Sequence, residues 1–142
     1  MNKKDELYLT YQAEDLEKIC EKVKETFKDA NTKRFYGFML SGLVNYRVMP
    51  FVQYNQNNEL VACAVLGVVE TPMGNESTVY IHFAWIDKHY PNYWKKGIKF
   101  IYDFAKSLKI RKIMASTQRL PEAFERKFGF KKSYSVIEKE VI

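Results

Sequence analysis

The chain of 142 residues is long enough for one domain with a buried core, and 46% hydrophobic with 28% charged residues is typical of a soluble globular protein. The chain starts without an apolar run after its basic residues, and its longest apolar run, Leu60–Val69, is strand-sized. We therefore expect no signal peptide and no membrane span, and we predict a cytoplasmic protein.

The net charge is +6, yet residues 92–134 carry twelve Lys or Arg against three Asp or Glu. This positive region suits a phosphorylated cofactor, a nucleic acid or an acidic protein partner, or it consists of solvated helix faces.

The cysteines and histidines do not indicate a metal site. Cys20 falls on a helix face and Cys63 in a buried strand, which predicts two buried free thiols in an intracellular compartment. Two Cys and two His without paired spacing do not provide the ligands that a metal needs.

The first part of the chain is predicted to hold two helices and four strands. In order, they are a strand at Leu7–Tyr11, helices at Ala13–Lys28 and Thr32–Tyr46, and strands at Phe51–Tyr54, Leu60–Glu70 and Ser77–Ile86. The turn-prone residues 55–58 join two of these strands in a hairpin. The nearly continuous apolar run of Leu60–Glu70 predicts a strand buried on both faces.

The clearest helix is predicted from Trp94 to Leu108. Its core stripe is predicted to consist of Ile98, Ile101, Tyr102, Ala105 and Leu108, with the lysines pointing elsewhere. A strand at Lys112–Thr117 follows, then a helix opened by Pro121 and capped by Gly129, and a final strand at Phe130–Val141. One helix thus joins two strands in a parallel crossover, surrounded by antiparallel hairpins.

This element order is similar to that of the GNAT superfamily of acyl-CoA N-acetyltransferases. The segment 123–130, AFERKFGF, resembles the late helix of that family and its exit into the last hairpin. The resemblance implies an α/β (α+β) fold and one domain over residues 1–142. It further implies a mixed central sheet of about six or seven strands, with a parallel pair joined by a crossover helix, and about four flanking helices.

The resemblance also implies a site for acetyl-CoA at the start of the central helix. In the family, an Arg or Gln, a Gly and a second small residue let pyrophosphate approach the amides of the helix N-terminus, where the dipole is positive. The matching residues, with the strand end before them, are Ile86, Trp94, Lys95, Lys96, Gly97, Ile98 and Lys99. Gly97 fits the first small position, whereas Trp94 replaces the Arg or Gln. Lys99, at the second small position, either crowds the phosphate pocket or swings aside and pairs with a phosphate.

Three residues are candidates for proton transfer. The family often uses a tyrosine in the late helix to protonate the departing thiolate, and that position holds Glu125, which is either a donor with a raised pKa or a solvated residue. Glu70 and His82 are candidates for the base that deprotonates the acceptor amine. His82 alternates with Tyr80 and Ala84, opposite Ile81, Phe83 and Trp85, and its side of the strand is predicted to border a groove.

Three functions remain open at this point. The first is an acetyl-CoA-dependent N-acetyltransferase in which a primary amine attacks the thioester directly in a ternary complex. The second is a non-catalytic GNAT-like structural or interaction protein, for example a phage virion component, with protein partners. The third is a nucleic-acid-associated domain that uses the basic, aromatic-rich segment Tyr90–Lys112.

Overall fold

The computed structural model describes residues 6–70, 76–116, 129–131 and 137–141. These residues form a mixed sheet of five strands, ordered β1-β2-β3-β4-β5 as in the chain, and three helices. The elements are β1 (Tyr8–Leu9), α1 (Ala13–Thr26), α2 (Thr32–Val44), β2 (Val48–Tyr54), β3 (Leu60–Glu70), β4 (Ser77–Ile86), α3 (Tyr93–Ser107) and β5 (Ile113–Ala115).

Antiparallel pairing joins β1 to β2, β2 to β3 and β3 to β4, and parallel pairing joins β4 to β5. The β2–β3 turn forms as its composition predicts, because the Asn55 side chain accepts hydrogen bonds from the amides of Asn57 and Glu59. Asn58 takes a φ of 62°, which asparagine tolerates better than most residues. The predicted parallel pair with its crossover helix is confirmed.

Helices α1 and α2 cover one face of the sheet. Their contact with β2, β3 and β4 buries a core of Leu16, Ile19, Cys20, Val23, Met39, Val48, Val52, Tyr54, Cys63, Val65 and Phe83. Asp15, in the first turn of α1, accepts hydrogen bonds from the hydroxyls of Thr10 and Tyr54 and so ties the helix to β2. Both predicted free thiols are confirmed as buried.

Helix α3 covers the other face. Ile101 and Ala105 are buried there against a cluster from β2, β3 and β4 that includes Leu66 and Val79. The predicted core stripe is wrong at Tyr102 and Leu108, which are 56% and 46% exposed. In their place Phe100 and Phe104 pack on this cluster. Tyr102 follows Ile101 by 100° on the helix and so leaves the buried arc, and Leu108 lies just past the last helical turn.

The described strands and helices are fewer than predicted. The described residues contain five strands where about six or seven are predicted, and three helices where about four are predicted. The helix predicted from Pro121 lies outside the described residues. The described parts of the predicted last strand, 130–131 and 137–141, have no regular secondary structure. Within the described part of the chain, no helix is both long and apolar enough to cross a membrane.

Candidate functional site

The parallel strands β4 and β5 separate after a short paired stretch. Val79–Ile81 pair with Ile113–Ala115, and β4 then continues to Ile86. Its opposite edge stays paired with β3 as far as Ile86. Among the described residues, the β5-facing edge of β4 therefore has no strand partner from residue 82 onward, and this open edge forms one wall of the site.

The start of α3 forms a second, electropositive wall. The helix begins at Tyr93 without a capping bond from the side chain of Asn92, and its first turn contains no acidic residue. The amides of Tyr93 and Trp94 donate to the carbonyl oxygens of Tyr90 and Pro91, and the helix dipole gives this end partial positive charge. Lys95 and Lys96 are exposed beside it, with the Lys96 ammonium 5.2 Å from the centre of the Tyr93 ring. The helix start can therefore attract an anion.

Gly97 lies within α3 and against the end of β4. It is the fifth residue of the helix, so the amides left free by helical bonding belong to residues before it. Among the described residues, a Cβ at Gly97 would meet only Ile86, whose Cδ1 would be 3.6 Å away, an ordinary contact. The half-buried Ile98 follows it. The structure thus brings Ile86 and Gly97 together, with space at Gly97 for a side chain.

Trp94 and Lys99, the two residues that depart from the family motif, are both solvent-exposed on α3. The Lys99 ammonium donates a hydrogen bond of 2.8 Å to Asp103 Oδ2, and this bond and charge raise the pKa of Lys99. Asp103 lies one turn toward the C-terminal end, so the ammonium is directed away from the helix start. Trp94, in the first turn, is 36% exposed.

His82 lies at a β-bulge where β4 carries one extra residue. Val65 pairs with Phe83 and Leu66 with Ile81, which leaves His82 between them without a partner on β3. The bulge shifts the alternation, so His82 and Phe83 both contact α2. The predicted alternation of Ile81 with Phe83 on one face is wrong, because Ile81 packs with the α3 cluster and Phe83 with the α1–α2 cluster.

Aromatic side chains surround the His82 imidazole. The Phe38 ring meets it edge-on at 4.9 Å between centroids, and the Tyr80 ring lies at 5.0 Å. Burial lowers the pKa of His82, so the ring is neutral at pH 7. No hydrogen bond to the ring is found among the described residues, and neither nitrogen is both sealed from solvent and unpaired. The ring is half-buried, and a neutral imidazole can accept a proton.

The other two proton-transfer candidates do not join this arrangement. Glu70 is exposed and pairs with Ser77, the first residue of β4. It is therefore at the end of β4 opposite Ile86, roughly 30 Å along the strand at about 3.3 Å per residue. Glu125 lies outside the described residues.

Sequence reasoning missed the residues that shape the surroundings of His82. Gly67 stands opposite Tyr80 on β3, and a Cβ there would lie 2.4 Å from His82 Nε2. The Tyr80 hydroxyl is hydrogen-bonded to Ser116, just after β5. The glycine within an otherwise apolar strand was the available signal, because such a glycine often marks a bulge or a close approach. In the described residues, no group of His, Cys, Asp and Glu could hold a metal ion.

Comparison with known proteins identifies the fold. No protein-family model matches the chain, and no curated protein matches its sequence. A predicted acetyltransferase from Clostridium acetobutylicum, solved with acetyl-CoA, has 17% identity over 95% of this chain and 96% of its own, with a TM-score of 0.74. An aminoglycoside 6'-N-acetyltransferase from Acinetobacter baumannii has 10% identity over 96% of this chain and 97% of its own, with a TM-score of 0.75. An acetyltransferase from Trypanosoma brucei has 15% identity over 96% of this chain and 99% of its own, with a TM-score of 0.70. The chain therefore has the fold of the GNAT acetyltransferases.

Proposed function

We propose that the protein is an acetyl-CoA-dependent N-acetyltransferase in which a primary amine attacks the thioester directly. The observation that carries the proposal is the position of His82. A neutral, half-buried imidazole lies on β4 at the point where β4 and β5 separate, in a fold shared with acetyltransferases.

The start of α3 is the part of the chain that fits the coenzyme. Its first turn has no side-chain cap and no acidic residue, and it contains Lys95 and Lys96, which suits a pyrophosphate. Gly97 and Ile86 border the gap beside β4, and Lys99 is held away from it by Asp103. When bound, acetyl-CoA would supply an activated acetyl thioester. The open edge of β4 offers backbone groups that can bind an extended amide chain.

His82 would supply the base. A primary amine is mostly protonated at pH 7 and must lose a proton before it can attack a carbonyl carbon. The imidazole can accept this proton because burial keeps it neutral. The Phe38 and Tyr80 rings restrict its motion, which would orient it toward the amine. Glu125 stays a prediction from the resemblance, as the donor to the departing thiolate.

Acetyl transfer to a panel of primary amines tests this proposal. The assay measures free coenzyme A and the acetylated amine by mass spectrometry. We expect His82→Gln to lower kcat by about 100-fold or more, the usual contribution of a general base. His89→Gln is the matched control, since His89 is an exposed loop residue and the second of the two histidines. Equal rates for both variants would contradict the role of His82.

One observation favours a second candidate, a non-catalytic GNAT-like structural or interaction module. Helix α3 begins four residues before Gly97, so the amides of residues 97–99 lie inside the helix rather than at its end. Together with Trp94 and Lys99 in the motif positions, this gives a site unlike the usual pyrophosphate loop. Failure of the protein to bind acetyl-CoA would favour this candidate over the enzyme.

A further inference from the structure

The position of the His82 ring depends on the absence of a side chain at one neighbouring residue. Gly67 lies directly across from Tyr80 in the β3–β4 ladder. A Cβ built on Gly67 would be 2.4 Å from His82 Nε2 and 3.0 Å from His82 Cδ2. Since Cβ atoms essentially never approach other heavy atoms within 3.0 Å, the ring could not keep this position beside any other residue type.

Two aromatic rings lie beside the imidazole on other sides. Phe38 of α2 meets the ring edge-on, with 78° between the ring planes, and Tyr80 lies beside it on β4 at 56°. The bulge at His82 turns the ring toward α2 rather than toward the α3 face. The ring is thus bounded by α2, by its own strand and by the backbone of β3 at Gly67.

We propose that Gly67 is the positioning residue for His82: its bare backbone provides the space in which the imidazole lies across β3. A side chain here would displace the ring toward solvent and away from its aromatic neighbours. The use of this ring as a base rests on the proposed acetyl transfer, whereas the steric dependence on Gly67 does not.

The ionisation of His82 reports the position of its ring. Burial is what lowers the imidazole pKa, so a ring pushed into solvent would titrate closer to about 6.5. The charged or titratable groups at this place are Tyr80 on β4 and Arg47, whose carbonyl oxygen is near Gly67, while α2 presents the uncharged Phe38. None of these groups is altered by a change at Gly67.

The test measures the histidine pKa values by NMR in the wild-type protein and in Gly67→Ala. His89→Gln assigns the two histidine signals. We expect the His82 pKa to rise in Gly67→Ala and the position of the His89 signals at neutral pH to stay the same. We also expect kcat to fall by about tenfold or more, with little change in KM for acetyl-CoA, because the base is displaced while the coenzyme site at α3 is untouched. An unchanged pKa and unchanged ring shifts for His82 would overturn the proposal, whether or not the protein is an enzyme.

A second variant keeps the proposal testable if Gly67→Ala folds poorly. A Cβ at Gly67 would also lie 3.1 Å from the Arg47 carbonyl oxygen, which is a milder contact. Gly67→Ala combined with His82→Ala removes the clash with the ring and leaves this contact. We expect Gly67→Ala to cost less stability in the His82→Ala background than in the wild-type protein. An equal loss of stability with and without His82 would overturn the proposal. A shifted pKa without acetyl transfer by the wild-type protein would support the role of Gly67 and contradict the proposed function.

Discussion

Truncation of Ile101 tests how α3 is attached to the sheet. Ile101 is 4% exposed and packs with Leu66, Val79 and Phe51 of three different strands. Ile101→Ala removes three carbon groups, each worth about 0.8 kcal/mol of transfer free energy, and leaves a cavity that adds to this cost. The expected loss in the free energy of unfolding is about 3 kcal/mol, within the observed range of about 2–5 kcal/mol for such changes.

Urea unfolding followed by circular dichroism measures this loss, and thermal unfolding should show a fall in Tm of about 6–12 °C for a domain of this size. Tyr102→Ala is the matched control, because Tyr102 is the next residue of the same helix and is 56% exposed. We expect this control to change stability by about 0.5 kcal/mol or less. Equal effects of the two truncations, or a loss below about 0.5 kcal/mol for Ile101→Ala, would refute the packing of α3 described above.

Three further predictions concern stability and reactivity. Gly42→Ala should lower the free energy of unfolding, because its Cβ would lie 2.3 Å from Val48 Cβ. Gly37→Ala, on the same helix and with no described atom within 4 Å of its Cβ, should be neutral or stabilising by about 0.5–1 kcal/mol in urea unfolding. Burial raises the pKa of Cys63 to about 12, so its thiol should resist iodoacetamide at pH 7 in the native protein. The thiol should react once the protein is unfolded. Rapid labelling of Cys63 in the native protein would contradict this prediction. Burial lowers the folded-state pKa of His82, so the unfolded state binds more protons and the free energy of unfolding should fall as the pH drops below about 6.5. His82→Gln should reduce this pH dependence of stability. An unchanged dependence in the variant would count against the burial of the ring.

The sequence predicts most of the elements that have strong periodicity. Helix α1 begins at Ala13 as expected, and β3 and β4 have the predicted bounds. Strand β2 begins earlier, at Val48, and includes Pro50. Proline is tolerated there because β1, with only two residues, pairs with the positions after it.

The surroundings of His82 could not be predicted from the same patterns. The residues Ile81, Phe83 and Trp85 alternate in a way that fits a regular strand, and a bulge that shifts this alternation leaves no signal in hydrophobicity. The approach of His82 to Gly67 depends on the register between two strands, which the sequence does not specify. The same limit applies to α3, since its exact start at Tyr93 is a boundary, and boundaries are set by local hydrogen bonds rather than by periodicity.

Calorimetric titration of the protein with acetyl-CoA tests the central claim most directly. We expect saturable binding by the wild-type protein. Gly97→Glu should lose this binding, because a bulky anion would project into the gap beside Ile86, while the thermal stability should stay nearly unchanged given the space around Gly97. Lys99→Ala should leave the affinity nearly unchanged, since the Lys99 ammonium is bonded to Asp103 and directed away from the helix start. Absence of acetyl-CoA binding by the wild-type protein at millimolar concentration would contradict the proposed function.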